Sequence, residues 1–172
     1  MNSEIRASVS MKLNTEDTYI LPVVFESQDQ LAQLLQKPFI WLTPETYAGR
    51  NSPKIIFPAH INRINIEPPR MTTLNDKKEF YRVGLSQQFE TSINKYKVTC
   101  RFAASEYSFS VQMSSLEHLH TSLLKPFFSL VSLNPQKQQV TEVILTSNLV
   151  RIDVEPEFSN DIYANLDLYQ IH

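Results

Sequence analysis

Apolar and polar positions alternate through Val9–Leu13 (VSMKL) and again through Val98–Phe102 (VTCRF), the two-residue period of a half-buried strand. A short polar turn follows each, and then a second strand-like run, YILPVVF or YSFSVQM. Pro22, lacking an amide proton, places the first of these runs at a sheet edge or a bulge. The period then changes. Leu31, Leu34 and Leu35 fall on one helical face, as do Leu116, Leu119 and Leu123. Ser27 with Gln30 and Ser114 with Glu117 have the spacing of a capping box, so each helix is expected to start there. Lys37-Pro38 and Lys125-Pro126 end the helices after about three turns, because proline disfavours helical backbone in the residue before it.

Strand patterns resume at FIWL and FFSLVSL, then at KIIF and EVIL. After a break of three residues come INRINIE and LVRIDVE. Ile64 and Ile66 point one way in the first of these, and Arg63, Asn65 and Glu67 the other. A polar segment and a last strand, EFYRVGL or LDLYQIH, complete the pattern. The predicted unit is β-β-α-β-β-β-β, a sheet or partly closed barrel covered by one helix, and it is written twice.

The repetition is measurable. Shifting the chain against itself by 88 residues aligns Tyr19–Pro68 with Tyr107–Pro156 without a gap, and 14 of those 50 positions are identical. Composition alone would give roughly three. Upstream, a turn one residue shorter in the second copy moves the offset to 89, so Met11 corresponds to Cys100. The reading is an α+β, β-rich chain of two tandem copies, residues 1–86 and 90–172, packed as a pseudo-dimer because no flexible linker joins them. The alternative is two small Sm-like or SH3-like barrels, each with one helix.

Composition narrows the chemistry. Only two glycines, Gly49 and Gly84, occur in 172 residues, which rules out a glycine-rich phosphate loop or dinucleotide fingerprint. Cys100 is the single cysteine, so no internal disulfide forms, and its correspondence with Met11 marks a small apolar core position. No signal peptide, membrane span or Asn-X-Ser/Thr acceptor is read, so an intracellular, cytoplasmic protein without membrane insertion is expected. His118 and His120, two apart on a helix, cannot share one metal ion. No nucleophile elbow or Cys-His pattern is present, and His60 is matched by Asn148. The chain reads as non-enzymatic, with no cofactor and no metal.

Charge is the remaining signal. The net charge is −2, yet Arg50–Arg82 carries seven basic and three acidic residues, while the matching Gln138–Gln170 carries one and six. Equivalent stretches therefore differ in sign, and charge of this kind governs partner choice more than fold. The candidate partner- or anion-binding residues are Arg63, Arg70, Lys77, Lys78, Arg82 and Arg151. Arg63 and Arg151 are equivalent and also fit an arginine–carboxylate pairing that fixes register. The leading functional reading is a protein–protein interaction module (adaptor, scaffold or assembly component), with a protein partner or self-association. Nucleic-acid binding through the basic stretch of the first copy is the alternative, and a small ligand held between the copies is a third.

Overall fold

In the computed structural model of this protein, residues 4–14, 18–45, 52–68, 80–85, 95–156 and 168–172 are described. The chain divides into two compact units, Met1–Ser86 and Gln87–His172. Both are strand-rich, with one helix each, and belong to the α+β class.

The first unit runs β1 (Ile5–Leu13), β2 (Thr18–Phe25), α1 (Gln28–Leu34), β3 (Ile40–Pro44), β4 (Lys54–Ile56), β5 (Ile61–Glu67) and β6 (Tyr81–Val83). The second runs β7 (Lys95–Arg101), β8 (Glu106–Gln112), α2 (Leu116–Leu123), β9 (Phe127–Leu133), β10 (Gln139–Leu145), β11 (Arg151–Pro156) and β12 (Leu168–Ile171). The three-residue breaks seen in the sequence are single 3₁₀ turns, Pro58–His60 and Thr146–Asn148.

Strand order in the first unit is β4-β3-β6-β2-β1-β5, and in the second β10-β9-β12-β8-β7-β11. The last strand of each unit is inserted between the second and third, parallel to the second and antiparallel to the third. Register repeats with the order. Leu42 lies opposite Lys54 and Val83, and Leu130, 88 residues later, lies opposite Glu142 and Ile171. Val23 sits beside Tyr81 as Val111 sits beside Tyr169. Val9 faces Ile66 as Val98 faces Val154, with the first strand offset by 89.

β4 and β5 are joined by one 3₁₀ turn yet lie at opposite edges of a six-stranded sheet. Flat, the sheet would hold them about 24 Å apart, five spacings of about 4.8 Å. The five residue steps from Ile56 to Ile61 reach at most about 18 Å. The sheet must therefore curl. An apolar cavity fits the curl, because it is lined from all six strands and α1, including Val9, Val23, Leu34, Leu42, Ile56 and Ile64. Within neither unit do the two edge strands pair with each other among the described residues, so the sheets are open and the alternative of two small Sm-like or SH3-like barrels is not borne out.

Three local expectations need correction. α1 has seven residues and α2 eight, about two turns each. The α-helical bonding ends at Leu35 and Leu124, and tightened turns bonded to the third residue back carry the chain on to Lys37 and Lys125, directly before the prolines. The cap of α2 is Ser115, whose hydroxyl accepts from the Glu117 amide at 3.1 Å, and not Ser114. It corresponds to Ser27, which accepts from the Gln30 amide at 3.1 Å. Pro22 is not on an edge, since β2 lies between β1 and β6. The register with β6 begins at Val23, so the proline ring meets no partner strand on that side.

Inward-facing residues build each core. In the second unit Val98, Cys100, Val111, Leu119, Leu130, Leu149 and Ile152 are fully buried. In the first, Val9, Met11, Val23, Leu34 and Leu42 are buried, while Leu31, Ile61, Ile64 and Val83 remain half-exposed around the cavity.

Candidate functional site

The candidate cations are spread over separate places. Arg63 stands on β5 with its side chain exposed, Arg82 on β6, and Arg151, half-buried, on β11. Arg70, Lys77 and Lys78 lie outside the described residues. The structure does not bring Arg63 and Arg82 together. Arg63 is opposite Lys12, whereas Arg82 is level with Val24, itself opposite Arg6. Six residue steps along β1 separate Arg6 from Lys12, about 20 Å along the sheet.

Arg82 is held within its own unit. Its guanidinium donates from Nη1 to Glu4 Oε1 at 2.8 Å and from Nη2 to Glu4 Oε2 at 3.2 Å, a bidentate arrangement. Glu45 lies 3.9 Å from Nη2. Arg6 donates to Glu45 Oε1 at 2.9 Å and lies over the Phe80 ring, 5.0 Å from its centroid. The hydrogen bond from Arg82 holds the Glu4 carboxyl below its usual range, and Glu4 in turn raises Arg82. Two guanidinium groups meet two carboxylates here, so the cluster is neutral. A phosphate or acidic peptide would have to displace Glu4 to reach Arg82.

Arg151 shows what the equivalent position does in the second unit. It lies directly opposite Arg101, and Asp153 sits between them, 3.4 Å from Arg151 Nη2 and 3.5 Å from Arg101 Nε. Arg101 also pairs with Glu106. One carboxylate thus bridges two facing arginines, the register-fixing arrangement that opposite charges give to a strand pair. In the first unit Arg63 faces Lys12, and the place of Asp153 is taken by Asn65, which donates to Glu67 at 2.9 Å. Residue 65 thus carries no carboxylate to bridge Arg63 and Lys12 as Asp153 bridges Arg151 and Arg101.

Two hydroxyl or thiol groups bear on chemistry. Burial, followed by hydrogen bonds to Glu142 and Tyr169, pushes the Tyr107 phenol up. The first-unit counterparts are Tyr19, Lys54 and Tyr81, so the phenols recur and the carboxylate becomes an ammonium. A phenol held protonated is a hydrogen-bond donor and not a base at neutral pH. Burial likewise pushes the Cys100 thiol up to about 12, which keeps it from forming the nucleophilic thiolate. Among the described residues, no three His, Cys, Asp or Glu side chains are grouped so as to hold a metal ion. None of their helices is long and apolar enough to cross a membrane. The cavity of the first unit is about 40 Å³ and wholly apolar. That admits a water-sized molecule, far below the several hundred Å³ of an organic-ligand pocket.

The most distinctive surface was not anticipated from the sequence. On the outward face of β9 and β10, Phe127, Leu133, Val143 and Leu145 are 50–61% exposed, with Phe127 directly opposite Leu145. The residues 88 before Phe127, Val143 and Leu145, namely Phe39, Ile55 and Phe57, are 0–6% exposed, while Leu133 corresponds to the charged Glu45. The signal was present in FFSLVSL, where apolar residues occupy both strand faces, but such a run also fits burial on both sides.

No protein-family model, curated protein or solved structure matches this chain.

Proposed function

We propose that the chain is a non-catalytic protein–protein interaction module, an adaptor or assembly component, built from an internal duplication. The observation that carries the functional reading is the apolar face of β9 and β10. Contiguous exposed apolar groups at a sheet edge mark a surface that binds another protein. Duplication is supported by the common strand order, the registers offset by 88 or 89 residues, and the two serine caps at equivalent places. Each half then presents a version of the same surface, and divergence between the versions sets partner choice.

The test is affinity capture by the immobilised chain, compared with a Val143→Lys/Leu145→Lys double variant. Both positions are exposed, so the variant should keep its far-ultraviolet dichroism and urea midpoint. Wild type is expected to retain proteins that the variant loses. Identical recovery by both would remove the basis for the reading.

The exposed Arg63, with neutral Asn65 where the second unit has Asp153, favours a second reading, in which the basic stretch of the first unit contacts phosphates of a nucleic acid. Labelled single-stranded RNA and duplex DNA would then bind with an affinity that falls steeply between about 50 and 200 mM salt. Absence of binding at the lower salt would dismiss it.

A further inference from the structure

The backbone of β10 is open along one side. Among the described residues this strand pairs with β9 alone. At the two ends of that ladder Asn134 N donates to Gln138 O at 2.9 Å and Thr146 N to Pro126 O at 3.1 Å. Antiparallel pairs alternate between bonded and non-bonded, so these ends fix the alternation between them. Ser129, opposite Val143, agrees with it, since it exchanges its backbone bonds with His172 on its other side, at 3.0 and 2.8 Å. Val140, Glu142 and Ile144 therefore bond to β9, and Gln139, Thr141 and Val143 direct their amides and carbonyls to the open edge. Val143 and Leu145 add exposed apolar side chains along that same row. β10 also lacks the devices that protect an exposed edge. Its seven residues include no proline, lysine or arginine, and its pairing runs from Gln139 to Leu145 without a bulge. The strand at the same place in the first unit has them: β4 is three residues long, begins at Lys54 and follows Pro53, which stands where β10 has Thr141.

We infer that an extended segment of another protein adds to β10 as a further strand of the second unit, laying apolar side chains at alternate positions beside Val143 and Leu145. The inference rests on the interaction-module reading and names the chemistry of its partner. The occupant is a strand because the open groups are backbone donors and acceptors in extended register, whereas a helix bonds its own. Its side chains level with Val143 and Leu145 fall on the outward face, about 5 Å from them. A charge there would lose water against valine and leucine, so the segment is apolar at every second position. On the opposite face the carboxylate of Glu142 is already hydrogen-bonded to Tyr107, so the site selects no basic residue there. Affinity comes from the main-chain bonds and the burial of Val143 and Leu145, and specificity from the alternation.

The test uses a phage-displayed library of random peptides of about nine residues, long enough for one edge strand. It is selected on the immobilised full chain after depletion on the Val143→Lys/Leu145→Lys variant. Enriched peptides are expected to carry apolar residues at alternate positions. An added strand turns every second amide toward β10 and the others away. N-methylation of one alternate set in the commonest peptide should therefore weaken binding by about tenfold or more, read by fluorescence anisotropy, and methylation of the other set by less than about twofold. Thr141→Pro removes an outward amide and leaves the bonds to β9 in place, so it should weaken the same peptide with unchanged far-ultraviolet dichroism. Peptides enriched without alternation, or affected equally by both methylated sets, overturn strand addition and leave the interaction-module reading standing. If no peptide is enriched the proposal also falls, and the capture of whole proteins decides the broader reading separately. Concentration-dependent assembly of the chain that Thr141→Pro abolishes, with no peptide enriched, overturns it in favour of a second copy on the edge.

Discussion

Ile40 on β3 and Phe128 on β9 hold the same place in the two units, Ile40 opposite Ile56 and Phe128 opposite Ile144. Ile40 lines the apolar cavity of the first unit; Phe128 is almost wholly buried in the second. The larger ring occupies space that the isoleucine leaves. Ile40→Phe should therefore stabilise the first unit by up to about 1 kcal/mol, the cost of a 40 Å³ void at roughly 24 cal/mol per Å³. Urea unfolding measures it. A fall in midpoint would show that the cavity is too shallow for the ring and that overpacking strain wins.

The two helix caps give a sharper comparison. Ser27→Ala and Ser115→Ala each remove a hydroxyl that accepts a first-turn amide, and each should cost about 1 kcal/mol. Ser114→Ala leaves the cap in place and should change stability by less than about 0.5 kcal/mol. Equal losses at Ser114 and Ser115 would contradict the assigned cap.

Those caps also show what the sequence could and could not reveal. Searching for a glutamate three residues on selects Ser114, because Glu117 follows it, whereas the 88-residue offset from Ser27 selects Ser115. Element order was legible because alternation, helical spacing and Lys-Pro stops are local signals. Strand order was not. Nothing local says that β4 and β5, with four residues between them, lie at opposite edges of the first unit's sheet, or that β6 inserts beside β2, because those facts follow from sheet curl. Pro22 misled for the same reason, since its tolerance depends on where the short β6 begins. The partners of Arg82 were equally out of reach, as Glu4 lies 78 residues away.

The pairing of Arg82 with Glu4 predicts a pH dependence. Glu4 has a folded pKa below its unfolded value, so its contribution to stability is fully present above the unfolded carboxylate range, about 4.3. It is lost as pH falls through the lowered folded value. Arg82→Ala removes the hydrogen bond that causes the shift. Its urea midpoint should fall below wild type at about pH 7, and the difference should shrink as pH falls through the lowered folded value of Glu4. A difference that is constant with pH would assign the effect to packing of the arginine stem. Both side chains are solvent-exposed, so the effect should also weaken in high salt.

Cys100 predicts a reactivity that reports on the second unit alone. It is fully buried on β7, paired with Ile152 on one side and Tyr107 on the other. Burial first, and the nearby Asp153 charge second, push its thiol up to about 12. At about pH 8 an unfolded cysteine, with a pKa near 8.5, has a substantial thiolate fraction, whereas the folded one has almost none and no access to reagent. Disulfide-exchange reagents should therefore label the native chain only as fast as the second unit opens. Adding urea below the unfolding transition should raise the labelling rate in proportion to the population of open molecules. Ile152→Ala, which opens a cavity against the same wall, should speed labelling sharply, by the factor that corresponds to its loss of roughly 2–4 kcal/mol. Ile64→Ala, the matching change in the first unit, should leave the rate unaltered if the units open independently. Rapid stoichiometric labelling of the untreated native chain would place Cys100 outside the core and overturn the packing described for β7.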